Sequence, residues 1–289
     1  MFDHKSIVQE IKTPFVLKSG VRVFMQRDDQ IHPFISGNKW FKLKHNIRDF
    51  LTSEATSIMT FGGAYSNHLV ATAAACAMQQ IPCMGMVRGD ELQPNSNYVL
   101  RLCSEFGMKL KFISRQGYSE AKRNPSEFEN KKVFVIPEGG DNAAGILGCQ
   151  DIVKDYTLFD HVAVPVGTAT TFSGIINGSK GESHIQGFAA LKNASYLSET
   201  VSGNTSYNNW TLQTSYSYGG FGHFDESQSK FNRQFASETG ILLDPVYTGK
   251  MMRGVYALIS ENVIKPVESV LCIHTGGLTG LLSEKWLNS

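Results

Sequence analysis

Short apolar runs rich in β-branched residues alternate with helix-like segments over most of the chain, and that rhythm restricts the fold more than any other feature. SIMTFGG (57–63) precedes SNHLVATAAACAMQQ, CMGMVRG precedes NSNYVLRLCSEFG, KLKFIS precedes a polar helix, and VFVIPEG precedes NAAGILGCQDIVKDY. Such alternation is the pattern of βαβ units around a parallel sheet. A second set follows: HVAVPVG with TFSGIINGS, then HIQGFAA, and finally SVLCIHTGG with LTGLLSEKWL. Two α/β sheets accommodate these segments better than one. The stretch 193–214 is polar and rich in Ser, Asn, Thr and Tyr, and reads as a surface excursion or an irregular helix with a loop.

With 42% hydrophobic residues in 289, the chain can bury the core of one large domain or two modest ones. A formal net charge of +1 without long runs of like charge argues against nucleic acid as a partner. The beginning, MFDHKSIVQEIK, lacks the apolar core of a signal peptide, and no apolar run is long enough to span a bilayer. Five cysteines, none in a C-x-x-C pair, read as buried free thiols in a reducing cytoplasm, where we expect the protein to reside.

Four segments carry candidate chemistry. Lys39, in Ser36-Gly37-Asn38-Lys39, stands just before an amphipathic run and so near a helix start, where unpaired N–H groups depress an amine's pKa and favour anions. Taken alone it reads as a solvated surface lysine, since Lys42 and Lys44 are as basic. Gly62-Gly63-Ala64-Tyr65-Ser66-Asn67-His68 joins a strand to an alanine-rich helix, with Ser66 or Asn67 as the N-cap. That is either plain capping or a carboxylate site. Gly167-Thr168-Ala169-Thr170-Thr171 follows a strand and opens a helix, so its N–H groups and hydroxyls can cradle one phosphate. It matches neither the nucleoside-triphosphate loop nor the dinucleotide fingerprint. His274-Thr275-Gly276-Gly277 repeats the strand-to-turn pattern. The eight histidines show no metal-ligand spacing, and there is no G-x-S-x-G elbow.

Taken in order, SGNKWFKLKHN, FGGAYSNH, PEGGDNAAGILG, VPVGTATT, DPVYTGKMMRG and IHTGG resemble the 1-aminocyclopropane-1-carboxylate deaminase and D-cysteine desulfhydrase family. The resemblance covers nearly the whole chain. It implies a two-domain, tryptophan-synthase-β-like α/β fold, each domain an open, mostly parallel sheet flanked by helices. The larger domain would comprise residues 1–42 plus 154–289 and the smaller one 43–153, in a homodimer. It also implies pyridoxal 5′-phosphate as cofactor and a small amino acid as substrate. Lys39 would hold the cofactor as a Schiff base, Asn67 its ring hydroxyl, and Gly167, Thr168, Ala169, Thr170 and Thr171 its phosphate. Thr275 would lie against the pyridine nitrogen. Ser66, Asn67 and His68 would face the substrate carboxylate, and Tyr247 and Tyr218 would be the active-site tyrosines.

The chain departs from the family at Ala169 and Thr170, where relatives often carry glycine or serine, and at Tyr65, where a glutamine is common. Deaminases of the family have an acidic residue after the DPVY tyrosine and a leucine near the end; here the positions are Thr248 and Thr275, as on the desulfhydrase side. A carboxylate beside the pyridine nitrogen strengthens the cofactor as an electron sink, and a hydroxyl does not. Opening a cyclopropane needs the stronger sink, whereas expelling sulfide after removal of an α-proton does not. The expectation is therefore a D-cysteine desulfhydrase yielding pyruvate, sulfide and ammonia, with the deaminase as the alternative. A silent cofactor-binding homologue would not be expected to keep Lys39. A nicotinamide oxidoreductase would want a G-x-G-x-x-G turn that is not visible.

Overall fold

The computed structural model describes residues 5–128, 132–154, 159–220, 222–223, 225–278 and 281. In chain order its strands are β1 (Val8–Ile11), β2 (Arg22–Gln26), β3 (Ser57–Gly62), β4 (Cys83–Arg88), β5 (Lys109–Ile113), β6 (Val133–Ile136), β7 (His161–Val166), β8 (His184–Ala189), β9 (Trp210–Gln213) and β10 (Ser269–Ile273). The helices are α1 (Pro14–Ser19), α2 (Asn38–Leu51), α3 (Asn67–Met78), α4 (Tyr98–Glu105), α5 (Arg115–Arg123), α6 (Ala143–Cys149), α7 (Thr170–Ser179), α8 (Tyr196–Asn204), α9 (Glu226–Thr239) and α10 (Thr248–Ser260).

Two sheets form, as the alternation requires. One has the order β1-β2-β10-β7-β8-β9 and the other β5-β4-β3-β6. Every described pairing is parallel except β1 with β2. The central strands read as continuous apolar runs because both of their faces are buried. Along β7, Val162, Val164 and Val166 face one core while Ala163 faces another; along β10, Leu271 and Ile273 divide from Val270 and Cys272 in the same way. The largest core lies between the sheets and takes residues from α2, α3, α4, α6 and α7. A second, with α9 and α10, covers the far face of the six-stranded sheet, and a third, with Tyr118 of α5, covers that of the four-stranded one.

The stretch 193–214 differs from the expectation. It holds a regular helix, α8, and a strand, β9, that pairs with β8 at the sheet edge. Its four strand residues are all partly exposed, so the apolar signature of a buried strand is missing. The expected helix over LTGLLSEKWL lies outside the described residues apart from Leu278 and Leu281. The five cysteines are buried and unpaired. No described helix is long and apolar enough to cross a membrane, and no group of described residues is arranged to hold a metal ion.

Candidate active site

Lys39 is the second residue of α2, and the start of that helix is pressed against the turn after β10. Gly37 caps it at φ 60°, and a β-carbon there would lie 1.9 Å from the Thr275 carbonyl oxygen. The Gly37 N–H donates to the Asp28 carbonyl at 2.8 Å and that of Asn38 to Thr275 at 3.3 Å. The opposing turn is itself held by His274. Its Nδ1 accepts from the Gly276 N–H at 3.2 Å, which leaves the ring proton on Nε2 for the Leu242 carbonyl at 2.8 Å.

The Lys39 amine is half-buried and donates to Asn38 Oδ1 at 3.0 Å. Burial, assisted by the charge of Lys42, brings its pKa down to about 7, so the neutral amine a nucleophile or base requires is abundant at neutral pH. The sequence pointed to the helix start as the cause; the principal cause is desolvation. Lys42 is no surface lysine either. It is buried, donates to the Gly139 carbonyl at 3.0 Å and is likewise depressed by burial. Lys44, by contrast, is part-exposed and pairs with Asp151 at 2.5 Å.

The phosphate-loop candidate, residues 167–171, connects β7 to α7. Ala169 caps the helix at φ 67°, ψ −20°, and the left-handed residue followed by helical ones turns successive N–H groups toward one point. First-turn N–H groups have no carbonyl partner inside their own helix. The hydroxyls of Thr170 and Thr171 have side-chain partners of their own. That of Thr170 donates to Asp141, and that of Thr171 accepts from Asn38 Nδ2 at 2.9 Å and meets the Cys149 thiol. A polar chain thus runs from Lys39 through Asn38 to the loop.

Ser66 is the N-cap of α3, accepting from the Leu69 N–H at 3.3 Å, and the loop before it is pinned by Asn97, which donates to the Ala64 carbonyl at 3.1 Å. Asn67 faces the turn after β10, since a β-carbon on Gly277 would lie 3.1 Å from its Nδ2. His68 is buried. Thr60 donates its hydroxyl proton to the Ile136 carbonyl at 2.8 Å, so at 2.9 Å from His68 Nε2 it must accept, which fixes the imidazole proton on Nε2. Burial and the charges of Lys39 and Lys42 hold that ring well below the usual histidine pKa. A neutral ring with a bare Nδ1 cannot donate to a carboxylate; only the backbone N–H of His68 can.

Asp244 organises the opposite wall. One carboxylate oxygen accepts from the Val246 and Tyr247 N–H groups at 3.0 and 2.7 Å, the other from the Thr248 N–H at 2.8 Å, so Asp244 fixes the turn that leads into α10. Tyr247 lies against the phosphate loop, its ring 3.2 Å from where a β-carbon of Gly167 would stand. Burial, with the carboxylates of Asp244 and Glu138, pushes its phenol above the usual range and keeps the proton on it. Thr248 is fully buried, and its hydroxyl has no hydrogen-bond partner among the described residues. Tyr218 stands apart. It sits at φ 42° with the Arg253 guanidinium carbon 3.8 Å from its ring centroid, and its described contacts run to Arg253 and Tyr216. Lys250, buried on α10, grips that segment by donating to the Gly220 carbonyl at 2.5 Å.

A lysine with a depressed pKa, joined through Asn38 to a loop whose N–H groups fit one phosphate, suits an aldehyde cofactor with a phosphate arm. Residues 9–276 match the family model of the pyridoxal-phosphate dependent enzyme. The chain belongs to that family. Within it, it is 30% identical over 293 residues to a putative 1-aminocyclopropane-1-carboxylate deaminase of Thermotoga maritima, covering 92% of each chain. It is 28% identical to a D-cysteine desulfhydrase of Klebsiella pneumoniae, over 91% of this chain and 89% of that one. A solved 1-aminocyclopropane-1-carboxylate deaminase homologue superposes with a TM-score of 0.85 at 24% identity, over 99% of this chain and 94% of that one. The protein is thus a pyridoxal-phosphate-dependent enzyme of the deaminase and desulfhydrase family, with the tryptophan-synthase-β-like fold.

Asn38, Lys42, Asp244 and Asn97 escaped the reading of the sequence. Asp244 was the most accessible of them, because Asp-Pro favours the start of a turn. Lys42 offered no local signal, since its burial depends on Gly139 and Gly140 of a distant loop.

Proposed function

We propose that this enzyme is a carbon–sulfur lyase whose substrate is D-cysteine, with pyruvate, sulfide and ammonia as products. The observation that carries the preference is Thr248. Thr248 is a neutral, buried side chain directly after Tyr247, where deaminases of the family carry an acidic one. The pyridine nitrogen, an acceptor, fits a hydroxyl donor, and a neutral partner there leaves that nitrogen unprotonated. Asp244, which could otherwise protonate it, is turned onto three backbone N–H groups.

When bound, the cofactor accepts the electron pair released at the amino acid's α-carbon. In our reading Lys39 would hold it until the substrate's amino group displaces the lysine, and the freed neutral amine would then take the α-proton. The N–H groups of 167–171 hold its phosphate, Asn67 its ring hydroxyl, and Thr248 with Thr275 the nitrogen. Ser66 and the backbone N–H groups of Asn67 and His68 receive the substrate carboxylate at the start of α3. Tyr247 gives its proton to the departing sulfur, a role its place against Gly167 supports better than the position of Tyr218. We assign cofactor binding to a larger unit of residues 1–42 plus 154–289, and the carboxylate loop to a smaller one of 43–153. The membership of the strands in the two sheets supports this partition.

Incubation of the pure enzyme with D-cysteine, L-cysteine, D-serine and 1-aminocyclopropane-1-carboxylate, with assays for sulfide and 2-oxo acid, tests the reading. Sulfide and pyruvate from D-cysteine are expected. Faster formation of 2-oxobutyrate from the cyclopropane compound would establish the deaminase instead.

A further inference from the structure

We propose that the substrate pocket contains an anion site centred on Arg88, which selects amino acids whose β-substituent carries a negative charge. This rests on the lyase reading and specifies its substrate class. D-cysteine, as its thiolate, would be the smallest member, and amino acids ending in a carboxylate, sulfonate or phosphate would bind more tightly.

Arg88 is the last residue of β4, at the carboxyl edge of a parallel sheet, where such folds place their ligands. Its neighbour across the sheet leads into the carboxylate loop, and a β-carbon on Gly63 would lie 3.5 Å from Arg88 Nη2. The guanidinium carbon stands 5.9 Å from the centroid of the Tyr118 ring. The Tyr118 hydroxyl donates to Glu138 at 2.7 Å, and the other Glu138 oxygen pairs with Lys122. Glu138 is in turn one of the carboxylates acting on Tyr247. These side chains form a row across the sheet edge, from the loop that would hold the substrate carboxylate to the tyrosine that would protonate the leaving group.

The charges in that row do not cancel. Glu138 is met by Lys122, and Glu91, close to Arg88 in sequence, pairs with Arg115 at 2.5 Å. Arg88 is exposed and has no carboxylate partner among the described residues. A guanidinium placed beside an aromatic ring presents its fork of donors in a fixed direction, and that fork matches carboxylate, sulfonate and phosphate oxygens in pairs. A substrate whose α-carboxylate sits at Ser66 would have the Arg88 guanidinium beside the same loop, at Gly63.

The test uses the cofactor-loaded enzyme and the change in cofactor absorbance immediately after mixing, which reports binding before turnover accumulates. Serine, aspartate, O-phosphoserine and S-sulfocysteine are titrated, each as both enantiomers, against the unaltered protein, Arg88→Gln and Arg88→Lys. At least one anionic compound should bind about tenfold more tightly than serine of the same hand. Arg88→Gln should remove that advantage and leave serine unchanged, while Arg88→Lys should keep part of it. Equal binding of serine and all the anionic compounds overturns the proposal. So does an equal weakening of every ligand in Arg88→Gln, which would assign Arg88 to the shared α-carboxylate. If no amino acid, D-cysteine included, perturbs the absorbance, the lyase reading itself fails and the anion site falls with it.

Discussion

The two walls of the site are built by different means. On the cofactor wall, backbone meets backbone: Gly37 leaves no room for a methyl group beside Thr275, Asp244 fixes three consecutive N–H groups, and the loop at Ala169 is set by its dihedral angles. On the substrate wall, side chains do the positioning, through Asn97, Arg88, Tyr118 and Glu138, of which Arg88 is exposed and Asn97 and Glu138 are partly so. At Gly63 a methyl group would meet only the far end of Arg88, at 3.5 Å. Backbone packing tolerates almost no change, whereas a wall of side chains can be altered without disturbing the fold. The chemistry is thus fixed on one side and the choice of substrate left adjustable on the other.

Several substitutions would break or sharpen this contrast. Lys39→Ala should remove the visible absorbance of the cofactor and reduce sulfide release by about a thousandfold or more. Gly37→Ala should come next, because it combines a clash with a carbonyl and a left-handed backbone. A loss of cofactor affinity of about a hundredfold, together with a lower melting temperature, is expected; unchanged affinity by titration would show that the cofactor wall is not rigid.

The cofactor wall should also respond to pH in the cofactor-free protein. Burial raises the carboxyl of Asp28, whose carbonyl supports Gly37, from 3.8 to about 7, so the folded state holds a proton that the unfolded state has released. Stability from this group is present below pH 3.8 and is lost as the pH rises to about 7. Lys39 acts in the other direction. Its folded pKa of about 7 lies below 10.5, so the unfolded state binds the extra proton and stability returns between those values. Denaturant titrations should show the two contributions meeting in a minimum near pH 7, with Asp28→Asn flattening the acidic limb and Lys39→Met the alkaline one.

Thr248→Val should leave the cofactor-free protein as stable or more so, because it removes an unpartnered hydroxyl, yet lower turnover of D-cysteine by about tenfold. A clear loss of stability in denaturant would mean that Thr248 has a structural partner instead. The smallest effect belongs to Gly63→Ala, with a change within about threefold in KM and none in cofactor absorbance, in keeping with a neighbour that can move.

The parts of the fold legible in the sequence were those whose residues carry their own signal. The strands that are mostly buried, β3, β4, β7, β8 and β10, announce themselves as apolar runs. β1 and β9, short and partly exposed at the edges, do not. Of the site, the turns were readable and their loads were not. Ser66 shows as a cap because capping depends on adjacent residues. The depressed pKa of Lys39 depends on packing and on the buried charge of Lys42, and the engagement of Thr170 by Asp141 joins loops that follow different strands. Local sequence carries the first kind of fact, and only tertiary assembly creates the second.

Ala169 shows what such assembly can retain. An alanine in the left-handed region is less comfortable there than a glycine by about 1 kcal/mol, and the surrounding core holds it in place. The methyl group narrows the conformations open to the loop before any phosphate arrives. Less of the ordering is therefore left to the moment of encounter, and the apoenzyme can recapture a lost cofactor with little waiting for its loop to find the right shape.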